Sequence, residues 1–280
     1  MFSKIYKFIF RNNYSISEKK SQKNRVNLEY YTGAINLGDF LSPIVCEYML
    51  SEHSLSLLNT TKKRKPLHLT AIGSILGARG DFDMTVWGSG IRCFASVMYL
   101  SRRKFYQKLD IRAVRGPVTQ AALEQCGISC PKVYGDPAVL MPMIYSPQKS
   151  ERKGIVLITH FLTSMEEYSY LENVTLLDIK TTDFEKFIDT ISSAEKVISS
   201  SLHGIILSET YGTPAVFLKK GIEAELLKFY DWYYSTERYS VQIASDIDEA
   251  LKMEPMPVPN LDDMRNALIQ SFPYDLWEEK

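Results

Sequence analysis

The chain has 280 residues, 45% of them apolar, and sets 33 Lys and Arg against 33 Asp and Glu. That length allows one large body or two small ones, with apolar residues enough for a core. Zero net charge excludes a global basic field for nucleic acid, and no apolar run reaches the roughly eighteen residues that would span a bilayer.

Residues 1–26 read as a basic arm. Lys4, Lys7, Arg11, Lys19, Lys20, Lys23 and Arg25 face only Glu18, and Phe2, Ile5, Tyr6, Phe8, Ile9 and Phe10 are interleaved with the first of them. The stretch Met1–Phe10 is too short and aromatic for a signal peptide. The arm fits either an amphipathic segment on an anionic membrane surface or a basic extension frayed from, or packed on, the body.

Strands and helices then alternate, which predicts parallel sheets. Asn27–Tyr31 reads as a strand, Thr32–Asp39 as its loop and Phe40–Leu50 as a helix. Strands follow at Leu67–Ile72, ending in Gly73-Ser74, and at Met84–Trp87, ending in Gly88-Ser89-Gly90. The strand Leu109–Val114 leads through Arg115-Gly116-Pro117 into a helix that Gly127 closes. Lys132–Tyr134 runs into Gly135-Asp136-Pro137-Ala138.

The polar, proline-bearing stretch Ser146–Lys153 reads as a linker. Beyond it come strands at Gly154–Ile158 and Val174–Ile179, a helix at Asp183–Ile191, a strand before Ser199, a helix from His203, the strand Pro214–Leu218 and a helix from Glu223. Late helices are expected at Asp246–Met253 and Asp262–Gln270. The pattern predicts two Rossmann-like α/β domains, 27–145 and 154–250, with 251–280 a helical segment returning to the first. Ligands of such sheets bind at the carboxyl ends of the strands. The loops at those ends carry Asn36, Gly38 and Asp39, then Gly88, Ser89 and Gly90, then Arg115 and Gly116, then Asp136.

The run Ser199-Ser200-Ser201-Leu202-His203-Gly204 is the most informative. A strand turning through small hydroxyl residues into a helix leaves backbone N–H groups facing the turn, which suits an anion. His203 in the first helical turn is then either an acid/base beside a bound phosphate or a partly buried capping residue. Arg115 adds a cation to another helix start, or pairs with a surface carboxylate. Asp39 and Asp136 either serve the histidine or cap the helices after them. Four cysteines without a C-x-x-C pair, and four histidines without ligand spacing, predict reduced thiols, a cytoplasmic protein and no metal site.

Taken in order, Asn36-Leu37-Gly38-Asp39, Gly88-Ser89-Gly90, Val114–Thr119, Gly135–Ala138 and Ser199–Gly204 continuing to Pro214 resemble the polysaccharide pyruvyltransferase family. The resemblance implies a glycosyltransferase-B-like pair of domains with a cleft between them. It implies transfer of the pyruvyl unit of phosphoenolpyruvate, a co-substrate with no further cofactor, onto a saccharide acceptor to form a cyclic ketal. The acceptor would be a cell-surface polysaccharide or its lipid-linked precursor, handled at the inner face of the membrane.

By that resemblance His203 is the proton-transfer residue and Arg115, with Gly116, holds the donor. Some members have Arg-Leu-His where this chain has Ser201-Leu202-His203. Either backbone amides with the Ser199 and Ser200 hydroxyls then hold the anion, or Arg92, Lys219 or Lys220 substitutes. The aromatic run Phe229, Tyr230, Trp232, Tyr233 and Tyr234 suits a sugar platform, but better suits interdomain core. Two other readings fit the architecture: a nucleotide-sugar glycosyltransferase, and a silent scaffold in polysaccharide assembly.

Overall fold

A computed structural model describes residues 24–61, 67–77, 83–101, 108–148 and 151–277. The expected membrane contact of the basic arm falls on residues 1–23, outside that set. Among the described residues no helix is long and apolar enough to cross a membrane.

The first sheet is β1 (Val26–Glu29), β2 (Leu67–Thr70), β3 (Met84–Trp87) and β4 (Leu109–Ala113), parallel and in sequence order. The second contains β5 (Ile155–Ile158), β6 (Val174–Leu176), β7 (Lys196–Ser199), β8 (Ala215–Leu218) and β9 (Ile243–Ala244). Its order is β6-β5-β7-β8-β9, again parallel. The order reverses between β5 and β7, where parallel sheets open a crevice at their carboxyl edge.

The helices are α1 (Leu37–Ser51), α2 (Phe94–Ser101), α3 (Pro117–Gln125), α4 (Phe184–Ser192), α5 (Leu202–Thr210), α6 (Leu226–Ser235), α7 (Ile247–Lys252) and α8 (Asp262–Ser271). Local chemistry sets several of their starts. Asp183 caps α4 by accepting from the Lys186 amide at 3.1 Å, and Asp246 caps α7 through Glu249 at 2.9 Å. Pro117 opens α3 with its ring in the first turn, where no donor is lost.

The structure corrects the sequence reading at several edges. Helix α1 starts three residues before Phe40, because the Asn36 side chain accepts from the Gly38 amide at 3.1 Å and makes Asn36 the cap. Leu37, Gly38 and Asp39 are therefore helical rather than loop. Lys132–Tyr134 contributes only a bridge, Tyr134 to Val114. Helix α2 and the short β9 lack a clear period and went unpredicted.

One apolar cluster joins Leu28, Leu69 and Trp87 of the first sheet to Ile158, Val197 and Phe217 of the second. The C-terminal segment crosses back to the first half. The Trp87 indole donates to the Leu268 carbonyl at 2.9 Å, Arg265 donates to the Val139 carbonyl at 2.9 Å, and Arg112 meets Asp275 at 2.9 Å.

Candidate active site

The carboxyl ends of strands from both sheets meet around a cavity of about 160 Å³. Tyr31, Asn36 and Asp39 follow β1, Ser74 and Ile75 follow β2, and Arg92 follows β3. From the second sheet come His160 and Phe161 after β5, Ser201, Leu202 and His203 after β7, and Glu225 and Lys228 after β8. The pieces after β5 and β7 flank the reversal point of the second sheet.

His203 sits in the first turn of α5, its Nε2 at 3.4 Å from Oδ2 of the fully buried Asp136. The other Asp136 oxygen accepts from the Ala138 amide at 3.0 Å and anchors the 3-10 turn Pro137–Met143. His203 Nε2 and Asp136 Oδ2 are both buried and have no well-directed hydrogen bond among the described residues. The ring packs flat on α1: a Cβ at Gly38 would lie 1.8 Å from His203 Nδ1. Gly38 thus clears the space that the imidazole fills.

Asp39, one residue on, is partly open to the cavity yet closely surrounded by protein. Burial pushes its pKa up to about 6; His203 opposes the shift and the Asp136 carboxylate adds to it. The folded state therefore holds a proton on Asp39 that the unfolded chain has released, in the window from pH 3.8 to about 6. Stability from this group falls as pH rises through that window and is level above it. Asp39→Asn is expected to be more stable than the wild type at neutral pH, by on the order of 2 kcal/mol, and to lack the fall. Urea unfolding as a function of pH checks this; superimposable profiles would refute it.

The opposite wall is cationic at depth. The Lys228 ammonium is in close contact with the Glu225 carboxylate. Burial depresses the Lys228 pKa, and Glu225 resists the change. Burial likewise raises Glu225, but Lys228 outweighs it and holds the carboxyl below its ordinary range. Arg92 reaches the same Glu225 at 3.7 Å from a largely exposed position.

Arg115 does not face the cavity. It is fully buried, with Nε at 3.1 Å from Asp231 Oδ2 on α6, and its terminal nitrogens donate to the Ser74 hydroxyl at 2.6 Å and the Ile91 carbonyl at 2.5 Å. Asp231 also accepts from the Thr119 amide at 2.9 Å and the Thr119 hydroxyl at 2.6 Å, in the first turn of α3. The anion expected at this helix start is thus supplied by the chain itself. Gly116 permits the approach: a Cβ there would lie 2.0 Å from the Asp231 carbonyl. Gly88, Ser89 and Gly90 lie behind the cavity, with the Ser89 hydroxyl on the Gly73 carbonyl at 2.9 Å and Gly90 against the Arg115 guanidinium.

The serine loop divides similarly. The Ser199 hydroxyl exchanges hydrogen bonds with the Ser201 backbone at 2.9 and 3.0 Å, and the Ser200 hydroxyl accepts from the His160 amide at 2.9 Å. These two hydroxyls shape the turn. Ser201 and Leu202 border the cavity, and among the described residues no side-chain cap bond from Ser201 closes the amides of α5. Lys220 is placed elsewhere, at 3.6 Å from Glu167, and Lys219 is not among the lining residues.

In the aromatic run, Phe229, Trp232 and Tyr233 are core. The same helix carries Lys228 and Asp231, which the sequence reading passed over together with His160 and Glu225. Two charges three residues apart in a largely apolar and aromatic helix were the available signal, since buried charges are rare unless partnered.

The model of the polysaccharide pyruvyl transferase family matches residues 60–219, more than half of the chain. An uncharacterised protein of Acanthamoeba polyphaga mimivirus, L143, is 22% identical over 226 residues, covering 76% of this chain and 75% of the viral protein. A crystal structure of the uncharacterised Klebsiella pneumoniae protein KP1_0663 aligns with a TM-score of 0.49 and 13% identity, covering 87% of this chain and 98% of that one.

Proposed function

Because the chain belongs to the polysaccharide pyruvyl transferase family, we propose that it moves the pyruvyl group of phosphoenolpyruvate onto two hydroxyls of a saccharide, forming a cyclic ketal and releasing phosphate. The observation that carries this reading is one cavity lined both by His203, which is paired with the fully buried Asp136, and by the buried Lys228. The donor is a compact polyanion. The uncapped amides of α5, Lys228 and Arg92 supply the donors and positive charge that it needs. His203 lies next to that helix start and delivers the proton that turns the enol carbon into a methyl group. Asp136 orients the ring, and Asp39 completes the acidic wall.

We place the acceptor at the cavity rim, where the Tyr31 and Phe161 rings stand 6.5 Å apart and Tyr31 is 38% exposed. Such rings take the apolar face of a sugar. We further propose that the two sheets form a glycosyltransferase-B-like pair with this cavity at their junction. The acceptor is proposed as a lipid-linked precursor of a cell-surface polysaccharide, met at the cytoplasmic face of the membrane.

The test is to incubate pure protein with phosphoenolpyruvate and a panel of glycosides, and separately with nucleotide sugars. Phosphate release and ketal formation are expected from the first mixture only. Calorimetry adds a sharper expectation. Lys228→Met should weaken donor binding by about 1.5–3 kcal/mol, the worth of a hydrogen bond to a charged group, while Lys220→Met leaves it unchanged. Equal affinities for the two variants would remove Lys228 from the donor site.

A further inference from the structure

His160 borders the same cavity from the other side, following β5 at the reversal point of the second sheet. It is 4% exposed, and among the described residues neither ring nitrogen has a hydrogen-bond partner. A buried imidazole with both nitrogens unsatisfied is costly unless a ligand completes it. Its Nε2 stands 3.8 Å from the Glu225 carboxylate, which is shared with Lys228. The cavity therefore has two histidine–carboxylate couples, His203 with Asp136 and His160 with Glu225. The proposed reaction assigns only the first.

Ketal formation needs more than one proton carrier. The methylene carbon gains a proton, and the first hydroxyl adds to the neighbouring phosphate-bearing carbon and loses its own. The C–O bond to phosphate then breaks, and phosphate departs with the electron pair. The second hydroxyl closes the ring and loses its proton. Two hydroxyl protons are released, one replaces the proton delivered to carbon, and the other leaves on phosphate. Resting on the ketal-forming reaction proposed above, we infer that His160, oriented by Glu225, takes the proton of the ring-closing hydroxyl and passes it to the departing phosphate. Burial and the neighbouring Lys228 keep the imidazole neutral to lower pH than usual, the state in which it accepts a proton. Lys228 lies beside the same carboxylate, where a phosphate drawn to the ammonium comes within reach of the ring.

The two proton transfers are separable by experiment. In D₂O, reversible protonation of the donor carbon places deuterium in the phosphoenolpyruvate methylene group, and ketal formation is read from the product. The wild type is expected to do both with a competent glycoside. His160→Gln should keep deuterium entry within about threefold and lose ketal formation by roughly a hundredfold or more, the lower range for a positioned acid or base. His160→Asn serves in its place if thermal unfolding shows the glutamine variant to be destabilised. A folded variant that makes ketal normally overturns the inference. So does one that loses deuterium entry equally, since His160 would then act at the first proton transfer. A wild type inert towards phosphoenolpyruvate in both assays overturns the ketal reaction itself, and this inference with it.

Discussion

His203→Ala is expected to lower turnover by roughly 10²–10⁴-fold while donor affinity stays within a few-fold of the wild type. Three elements hold this ring in one place. Helix α5 carries it, Gly38 of α1 opens the slot that it fills, and Asp136 faces its Nε2 at 3.4 Å. A group positioned so closely contributes where charge moves, in the transition state, more than to binding of the ground state. The anion is left to the α5 amides, Lys228 and Arg92, which the substitution does not touch. Gly38→Ala supplies an independent arm, because its methyl group would occupy the position of the imidazole. Displacement by about 1 Å can cost on the order of a hundredfold, so this variant should lose activity with His203 still present. Phosphate release with a competent acceptor, alongside thermal unfolding, checks both. A stable His203→Ala protein with near-normal turnover would refute the role. An unfolded one would show the histidine to be a structural cap.

The second large effect is on stability. Asp231→Ala is expected to cost about 3–5 kcal/mol, because it strands the Arg115 charge in a fully buried site. It also removes the acceptor for the Thr119 amide and hydroxyl in the first turn of α3. Against a typical total of about 5–15 kcal/mol, that loss brings the protein close to unfolding at moderate temperature. The pair ties α6 to the start of α3, and through Ser74 and Ile91 to the loops after β2 and β3, of which Ser74 lines the cavity. Replacing both partners with apolar residues, Arg115→Met with Asp231→Leu, should recover most of the loss, since no charge remains unpaired. Urea unfolding of the two single variants and the double variant measures the coupling. A loss below about 1 kcal/mol, the ordinary worth of an exposed pair, would show that water reaches Arg115.

Several features follow from the amino-acid order alone. Alternating apolar runs and helical stretches dictate parallel strands, because a parallel neighbour requires a crossover. The serine-rich turn before His203, Pro117 and the Asp183 cap mark helix starts, because capping is a matter of a few adjacent residues. Even the shared placement of these loops at strand carboxyl ends is a consequence of chain order. What the folded chain alone decided is which charge meets which. Arg115 and Asp231 are 116 residues apart, and only the packing of α6 on α3 brings them together. That contact turns an arginine suited to a ligand into an internal pair, and it hands the cavity's buried cation to Lys228. His160 had no local mark at all, since its setting comes from β5, β7 and the loop after β8 at once. Local chemistry sets where an element begins, whereas a site's electrostatics depend on distances between elements far apart along the chain.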